Sequence, residues 1–176
     1  MHFVFDFDHT IYNTAELWDR WLDELEAIDI DRIDAIEKGE SIFGVGFTLR
    51  EHAERLGLTG DESEELISSF KEYAAVESPE LIFKDAVPFV ELNSKKHEFS
   101  ILSFGDPDWQ KEKMSACGIS DHISDIRIAR PERHKTAHLR ELVQETDEQV
   151  VFVDDNPKEL VSIHESEMPI TLYRMI

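Results

Sequence analysis

The sequence predicts a three-layer α/β domain, with helices on both faces of a five-stranded parallel sheet and a small all-helical cap inserted after the first strand. Three observations predict it. Short apolar runs recur along the chain, separated by stretches of helical periodicity, the alternation expected of a parallel sheet covered by helices. The run Val150 to Val153 is apolar on both faces, as a central parallel strand has to be. Between the first and second runs the chain passes from Thr10 to Phe99, far more than the roughly one dozen residues of a single crossover helix. Something separate is inserted there.

The strands are placed at Phe3 to Phe5, Phe99 to Leu102, Ile123 to Ile128, Val150 to Val153 and Ile170 to Tyr173. Within the insert, Leu17, Trp18, Trp21, Leu22, Leu25 and Ile28 share one side of a helix whose other side carries Asp19, Asp23, Glu24 and Glu26. A second helix runs from Asp61 to Tyr73, with Asp61 as N-cap, Glu64 completing a capping box, and Leu66, Ile67, Phe70 and Tyr73 as its apolar stripe. The acidic start of that helix, Asp61 to Glu65, is a solvated face. Between these helices Lys38 to Phe47 holds Gly39, Gly44 and Gly46, three of the chain's 7 glycines, and predicts a loop. Pro88 suits the first turn of a helix leading into the second strand. Further helices are expected near Trp109–Ala116, His134–Val143 and Pro157–Ile163. The resulting division is residues 1–14 and 84–176 for the α/β core and 15–83 for the helical cap.

Composition narrows the function classes. A chain of 176 residues is one domain, and 41% hydrophobic residues suffice for a core. With 18 basic against 39 acidic residues the net charge is −21, so neither nucleic acid nor an anionic membrane is an expected partner. The lone Cys117 forms no internal disulfide and belongs to no Cys/His zinc pattern. It reads as a packing residue. An acid arrives at Asp6 after three apolar residues, unlike a secretory signal, and no run approaches the roughly 20 apolar residues of a membrane span. A cytoplasmic location is the expectation.

The chemistry is expected at the carboxyl ends of the strands, where ligands bind in open parallel sheets. The first strand ends in Asp6-Phe7-Asp8-His9-Thr10 and the fourth in Asp154-Asp155. Carboxylates at i and i+2 of extended backbone point the same way and repel, unless a cation or shared proton relieves them. Two such pairs at the ends of apolar strands are costly for stability alone. A hard cation resolves the cost, and Mg2+ typically takes one or two carboxylates while leaving positions for phosphate oxygen and water. Ser103, at the end of the second strand, and Lys135, before the fourth, add a hydroxyl and a positive charge.

In these places the chain resembles the haloacid dehalogenase superfamily of phosphatases and phosphotransferases. Asp6-Phe7-Asp8-His9-Thr10 is similar to that family's first motif, DxDxT, and Leu102-Ser103-Phe104-Gly105 to its second. Lys135 stands where the third motif has its lysine, and Val151-Phe152-Val153-Asp154-Asp155 resembles the fourth. The resemblance implies a Rossmann-like core with Asp6 as nucleophile, forming an aspartyl-phosphate, and Asp8 as the acid that protonates the leaving oxygen and then activates water. On that reading Asp8 starts protonated beside an ionised Asp6. Thr10, Ser103 and Gly105 contact the aspartate and phosphate oxygens, and Lys135 supplies charge to them. Asp6, Asp154, Asp155 and the backbone carbonyl of Asp8 would hold Mg2+. The dehalogenase branch lacks the second acid, so Asp8 implies phosphoryl transfer.

Other residues receive plainer readings. His9 replaces the small residue common at its position in that family and reads as a solvated loop histidine, the alternative being that it narrows the pocket or touches substrate. His134 and His138, at helical i, i+4 spacing without the HExxH glutamate, form a surface pair. Trp109 packs a helix, although it could close one side of the site. Arg130 and Arg133 compete with Lys135 for the phosphate-binding role, and lysine fits better as a compact point charge. The apolar residues Ile42, Phe43, Val45 and Phe47 of the glycine loop either face substrate or pack within the cap. The sequence thus predicts a Mg2+-dependent hydrolase of a small phosphorylated metabolite. The alternatives are a phosphomutase or phosphotransferase on the same site, or a non-catalytic binding module.

Overall fold

A computed structural model describes residues 1–43 and 46–176. Its sheet has five strands, β1 (His2–Phe5), β2 (Glu98–Phe104), β3 (Asp125–Ala129), β4 (Val150–Asp154) and β5 (Ile170–Arg174). All are parallel, in the order β3-β2-β1-β4-β5. The expected architecture holds. β1 is short, yet it lies between β2 and β4, so its exit sets Asp6 beside the exit of β4.

The alternation of β1 builds two cores. Val4 joins Leu102, Val150 and Phe152 on one face, under Leu139 and Leu142 of helix α7 (Lys135–Glu145) and Ile163 of α8 (Pro157–Glu165). On the other face Phe3 and Phe5 stack on Phe99, at 5.5 and 6.2 Å between ring centres. Phe89 of α5 (Ala86–Asn93) meets Phe99 edge-on at 5.9 Å. Helix α6 (Pro107–Ala116) packs here through Met114, and Cys117 just after it is buried as expected.

Four helices separate β1 from α5: α1 (Thr14–Glu26), α2 (Arg32–Phe43), α3 (Leu49–Arg55) and α4 (Asp61–Leu81). The chain enters and leaves them through one crossing, where Asn13 N–H donates to the Leu81 carbonyl at 2.8 Å and Phe83 N–H to that of Ile11 at 3.0 Å. Their core continues the aromatic face of the sheet, from Phe7 and Tyr12 to Trp21 and Phe70. His52 joins three of them: its Nδ1 accepts from the Trp21 indole at 2.9 Å and its Nε2 meets the Ala35 carbonyl at 2.8 Å. Among the described residues no helix is long and apolar enough to cross a membrane.

Four local expectations need correction. The stretch Lys38 to Phe47 is not all loop, because α2 runs through Gly39 to Phe43; Gly44 and Val45 lie outside the described residues. Gly39 stands in the helix for want of room, since a Cβ there would lie 2.6 Å from the Trp18 ring and 3.5 Å from His52. Ile28 is exposed because α1 ends before it. The N-cap of α4 is Gly60 without a side-chain bond, and Asp61 and Glu64 instead lie in the first turn, where negative charge suits the helix dipole. His134 is exposed but His138 is buried beside Leu139, so the two are not a surface pair.

Gly39→Ala tests the first correction. In an unobstructed helix this change stabilises by about 0.5–1 kcal/mol. Here the methyl must displace an indole held by Phe43, Phe47 and His52, so a loss of about 1–3 kcal/mol from overpacking is expected. A thermal melt should show a transition several degrees lower; an unchanged or raised one would show that the Trp18 ring does not crowd this position.

Candidate active site

The carboxyl ends of β1 and β4 converge because the strands are hydrogen-bonded neighbours, the Asp6 amide donating to the Val153 carbonyl at 2.8 Å. Asp6 and Asp154 are both buried. The Lys135 ammonium, at the first turn of α7, lies between them, 2.7 Å from Asp6 Oδ1 and 2.8 Å from Asp154 Oδ2. Thr10 links the two loops, donating its hydroxyl to Asp6 Oδ2 at 3.2 Å and accepting from the Asp155 amide at 3.0 Å. The Asn156 amide donates to Asp154 Oδ1 at 2.7 Å. Oxygens of Asp6, Asp154 and Asp155 lie within 4.8 Å of one another. That all-oxygen donor set suits a hard divalent cation.

Electrostatically the group is under strain. Burial pushes the Asp6 carboxyl up to about 7 against the pull of Lys135, and Asp154 adds to the push. For Lys135 burial works against the charge, but Asp6 and Asp154 outweigh it and keep the ammonium protonated. Two buried carboxylates share one cation, and a second cation would relieve both.

Ser103, at the end of β2, is fully buried and its hydroxyl has no hydrogen-bond partner. A buried hydroxyl left unpaired costs free energy unless something else accepts from it. Gly105 follows at φ +134°, where a Cβ would press on Gln110 Nε2 at 3.1 Å, and its N–H donates to the Ala129 carbonyl at 3.1 Å. Arg130 and Arg133 stand apart from this group: both are exposed, Arg130 near Glu132 and Arg133 paired with Glu141. Of the three competing cations, Lys135 is the one brought to Asp6.

Asp8 lies outside the three-carboxylate group and faces elsewhere. Its carboxylate accepts from the Thr14 hydroxyl at 2.5 Å, from Gln110 Nε2 at 2.6 Å and from the Lys113 ammonium. Burial would raise its pKa, but Lys113 and these donors hold it below the usual carboxylate range. This reverses the expected order of the pair, in which Asp8 was the protonated member. Thr14, Gln110 and Lys113 were missed at the level of sequence. Helical spacing groups Gln110, Lys113 and Met114 on the buried face of α6, but it does not show that this face meets Asp8.

Asp8, His9, Gly105, Trp109 and Lys113 line a cavity of about 840 Å3 that extends between α1, α2, α4 and α6. Trp109 therefore does border the site, and His9 is exposed at its rim with φ +61°. A second groove of equal volume, between α4 and α6, contains none of Asp6, Asp8, Asp154 or Asp155.

The family model for haloacid dehalogenase-like hydrolases matches residues 1–165. The chain belongs to this family. Solved haloacid dehalogenase-like structures share its fold at low identity. A chain from Burkholderia xenovorans LB400, described as haloacid dehalogenase-like, superposes with a TM-score of 0.78 at 19% identity, over 98% of this chain and 83% of that one. The haloacid dehalogenase-family hydrolase YfnB of Bacillus subtilis, solved with magnesium bound, gives 0.67 at 12% identity over 99% and 86%. The L-2-haloacid dehalogenase of Xanthobacter autotrophicus, with chloropropionic acid covalently bound, gives 0.64 at 18% over 99% and 76%. No curated protein sequence matches the chain.

Proposed function

We propose that this member of the haloacid dehalogenase-like hydrolases cleaves a small phosphate monoester with Mg2+, through a phosphorylated Asp6. The observation that carries the reading is the separation of the two acids of the first motif: Asp6 sits in the cation-binding group, while Asp8 faces the cavity. A displacement at phosphorus needs that division, with a nucleophile on one side and a proton donor on the leaving-group side.

Asp6, Asp154 and Asp155 would hold Mg2+, whose charge offsets the phosphoryl oxygens and the clustered carboxylates. The Asp6 carboxylate attacks phosphorus, the ester P–O bond breaks, and the leaving oxygen takes its proton from Asp8. Asp8 must first take up that proton, because Lys113 and its other donors hold it ionised in the substrate-free site. Water then attacks the phosphorylated Asp6 and gives a proton back to Asp8, and the Asp6 oxygen–phosphorus bond breaks to release phosphate. Lys135, beside Asp6, and the unpartnered Ser103 hydroxyl would meet the phosphoryl oxygens. Lys135 keeps the phosphate next to its nucleophile.

The test is phosphate release from an aryl phosphate by metal-stripped protein, before and after adding Mg2+. Release is expected only with the metal. Chloride release from 2-chloropropionate without phosphatase activity would instead place the chain with the dehalogenases.

A further inference from the structure

The cavity over Asp8 is walled by two aromatic groups from different elements. On one side Trp18 of α1 meets Phe43 and Phe47 edge-on, at 5.2 and 5.5 Å between ring centres. On the other, Trp109 of α6 stands 6.2 Å from Phe70 of α4. Phe43 is 43% exposed although it belongs to this cluster. One exposed ring is ordinary on a protein surface; here it lines a pocket together with Trp18, Phe47, Phe70 and Trp109.

The charges on the walls are already engaged. Lys113 pairs with Asp8, Asp19 pairs with Arg32, Glu16 accepts from Asn13, and Asp106 caps α6 through the Trp109 amide. Among the described residues the lining offers no uncommitted lysine or arginine for a second anionic group. What remains is flat, apolar and polarisable surface.

We propose that this cavity binds an uncharged planar ring carried by the leaving group of the phosphate ester, held against Trp18 and Phe43 on one side and Trp109 on the other. The inference rests on the hydrolytic reading above, in which Asp8 faces the leaving oxygen, so the space it lines belongs to the leaving group. The ring joins the ester oxygen directly, as in an aryl phosphate, or through a sugar, as in a nucleoside monophosphate. Stacking is the chemistry common to both.

The experiment measures kcat/KM with Mg2+ for acetyl phosphate, which has no ring, for naphthyl phosphate and for a purine nucleoside monophosphate. It compares the unaltered protein with Phe43→Leu and Trp109→Leu, which keep apolar bulk but remove the ring face. Dividing each variant's value by that of the unaltered protein cancels the intrinsic reactivity of each substrate. Losses on a ring-bearing ester about tenfold greater than on acetyl phosphate are expected, from the usual worth of a stacked ring. A selective loss on naphthyl phosphate alone assigns the ring to the ester oxygen, and one on the nucleotide alone to the far side of a sugar. Equal losses on all three substrates, or lower melting temperatures with unchanged selectivity, would overturn the proposal while leaving the hydrolytic reading intact. Phosphate release from none of the three by the unaltered protein would overturn both.

Discussion

Asp6→Asn is expected to abolish phosphate release while leaving the metal-free protein at least as stable at neutral pH. The activity loss follows from removing the attacking carboxylate, about 10⁴-fold or more for a nucleophile acting within a concerted group. The stability side has a definite sign. The fold raises the Asp6 carboxyl from its ordinary 3.8 to about 7, so it favours the protonated form. Between these values the unfolded chain ionises first and stability falls as pH rises; above about 7 the cost is fully present. Asparagine carries no charge, and its amide oxygen can still accept from Thr10 and Lys135. Asp8→Asn makes the contrast, since its side chain lies outside the three-carboxylate group; turnover should fall about 10²–10⁴-fold, the usual worth of general acid–base catalysis. Steady-state rates and melts with and without Mg2+ check both variants. Turnover by Asp6→Asn near that of the unaltered protein would defeat the nucleophile assignment.

Lys135→Ala should cost both activity and stability, whereas Arg130→Ala should cost little of either. Removing the Lys135 ammonium leaves Asp6 and Asp154 buried with no cation between them, and breaking a buried pair from one side typically costs about 3–5 kcal/mol. Added Mg2+ should return part of that stability, because it supplies charge to the same carboxylates. It should not return turnover, because the phosphoryl oxygens still lack their donor. Arg130 is half exposed, with Glu132 at 4.0 Å as its salt-bridge partner. Its removal should leave kcat/KM within a few-fold. The opposite ranking in kinetics would move the phosphate-binding role to Arg130.

The strand order of events along the chain was legible because buried parallel strands write themselves as apolar runs, and each of the five predicted runs overlaps a strand. The carboxyl-end aspartates were legible for the same reason: a charge cluster at the end of an apolar run stands out. Gly39 misled because glycine signals two things, a turn or a close approach, and only the position of the Trp18 ring tells them apart. His138 misled because helical spacing shows which residues share a face, not whether that face is covered. Two of the partners of Asp8 were hidden by distance, with 102 positions to Gln110 and 105 to Lys113. In a chain with 39 acidic residues, no local pattern tells which lysine each one meets.

The place of α6 bears on how the protein could be re-engineered. This helix carries Gln110 and Lys113 to Asp8 on one side. It also receives α4, where Lys71 pairs with Glu112 at 2.8 Å and lies over the Trp109 ring at 5.5 Å. The helices that line the cavity therefore lean on the same rod whose Lys113 holds Asp8 below the usual carboxylate range. A graft exchanging residues 15–83 for those of a relative would not transplant selectivity alone. It would also reset the environment of Asp8, and so, on the proposed mechanism, the pH range of the reaction, unless α6 travelled with the graft.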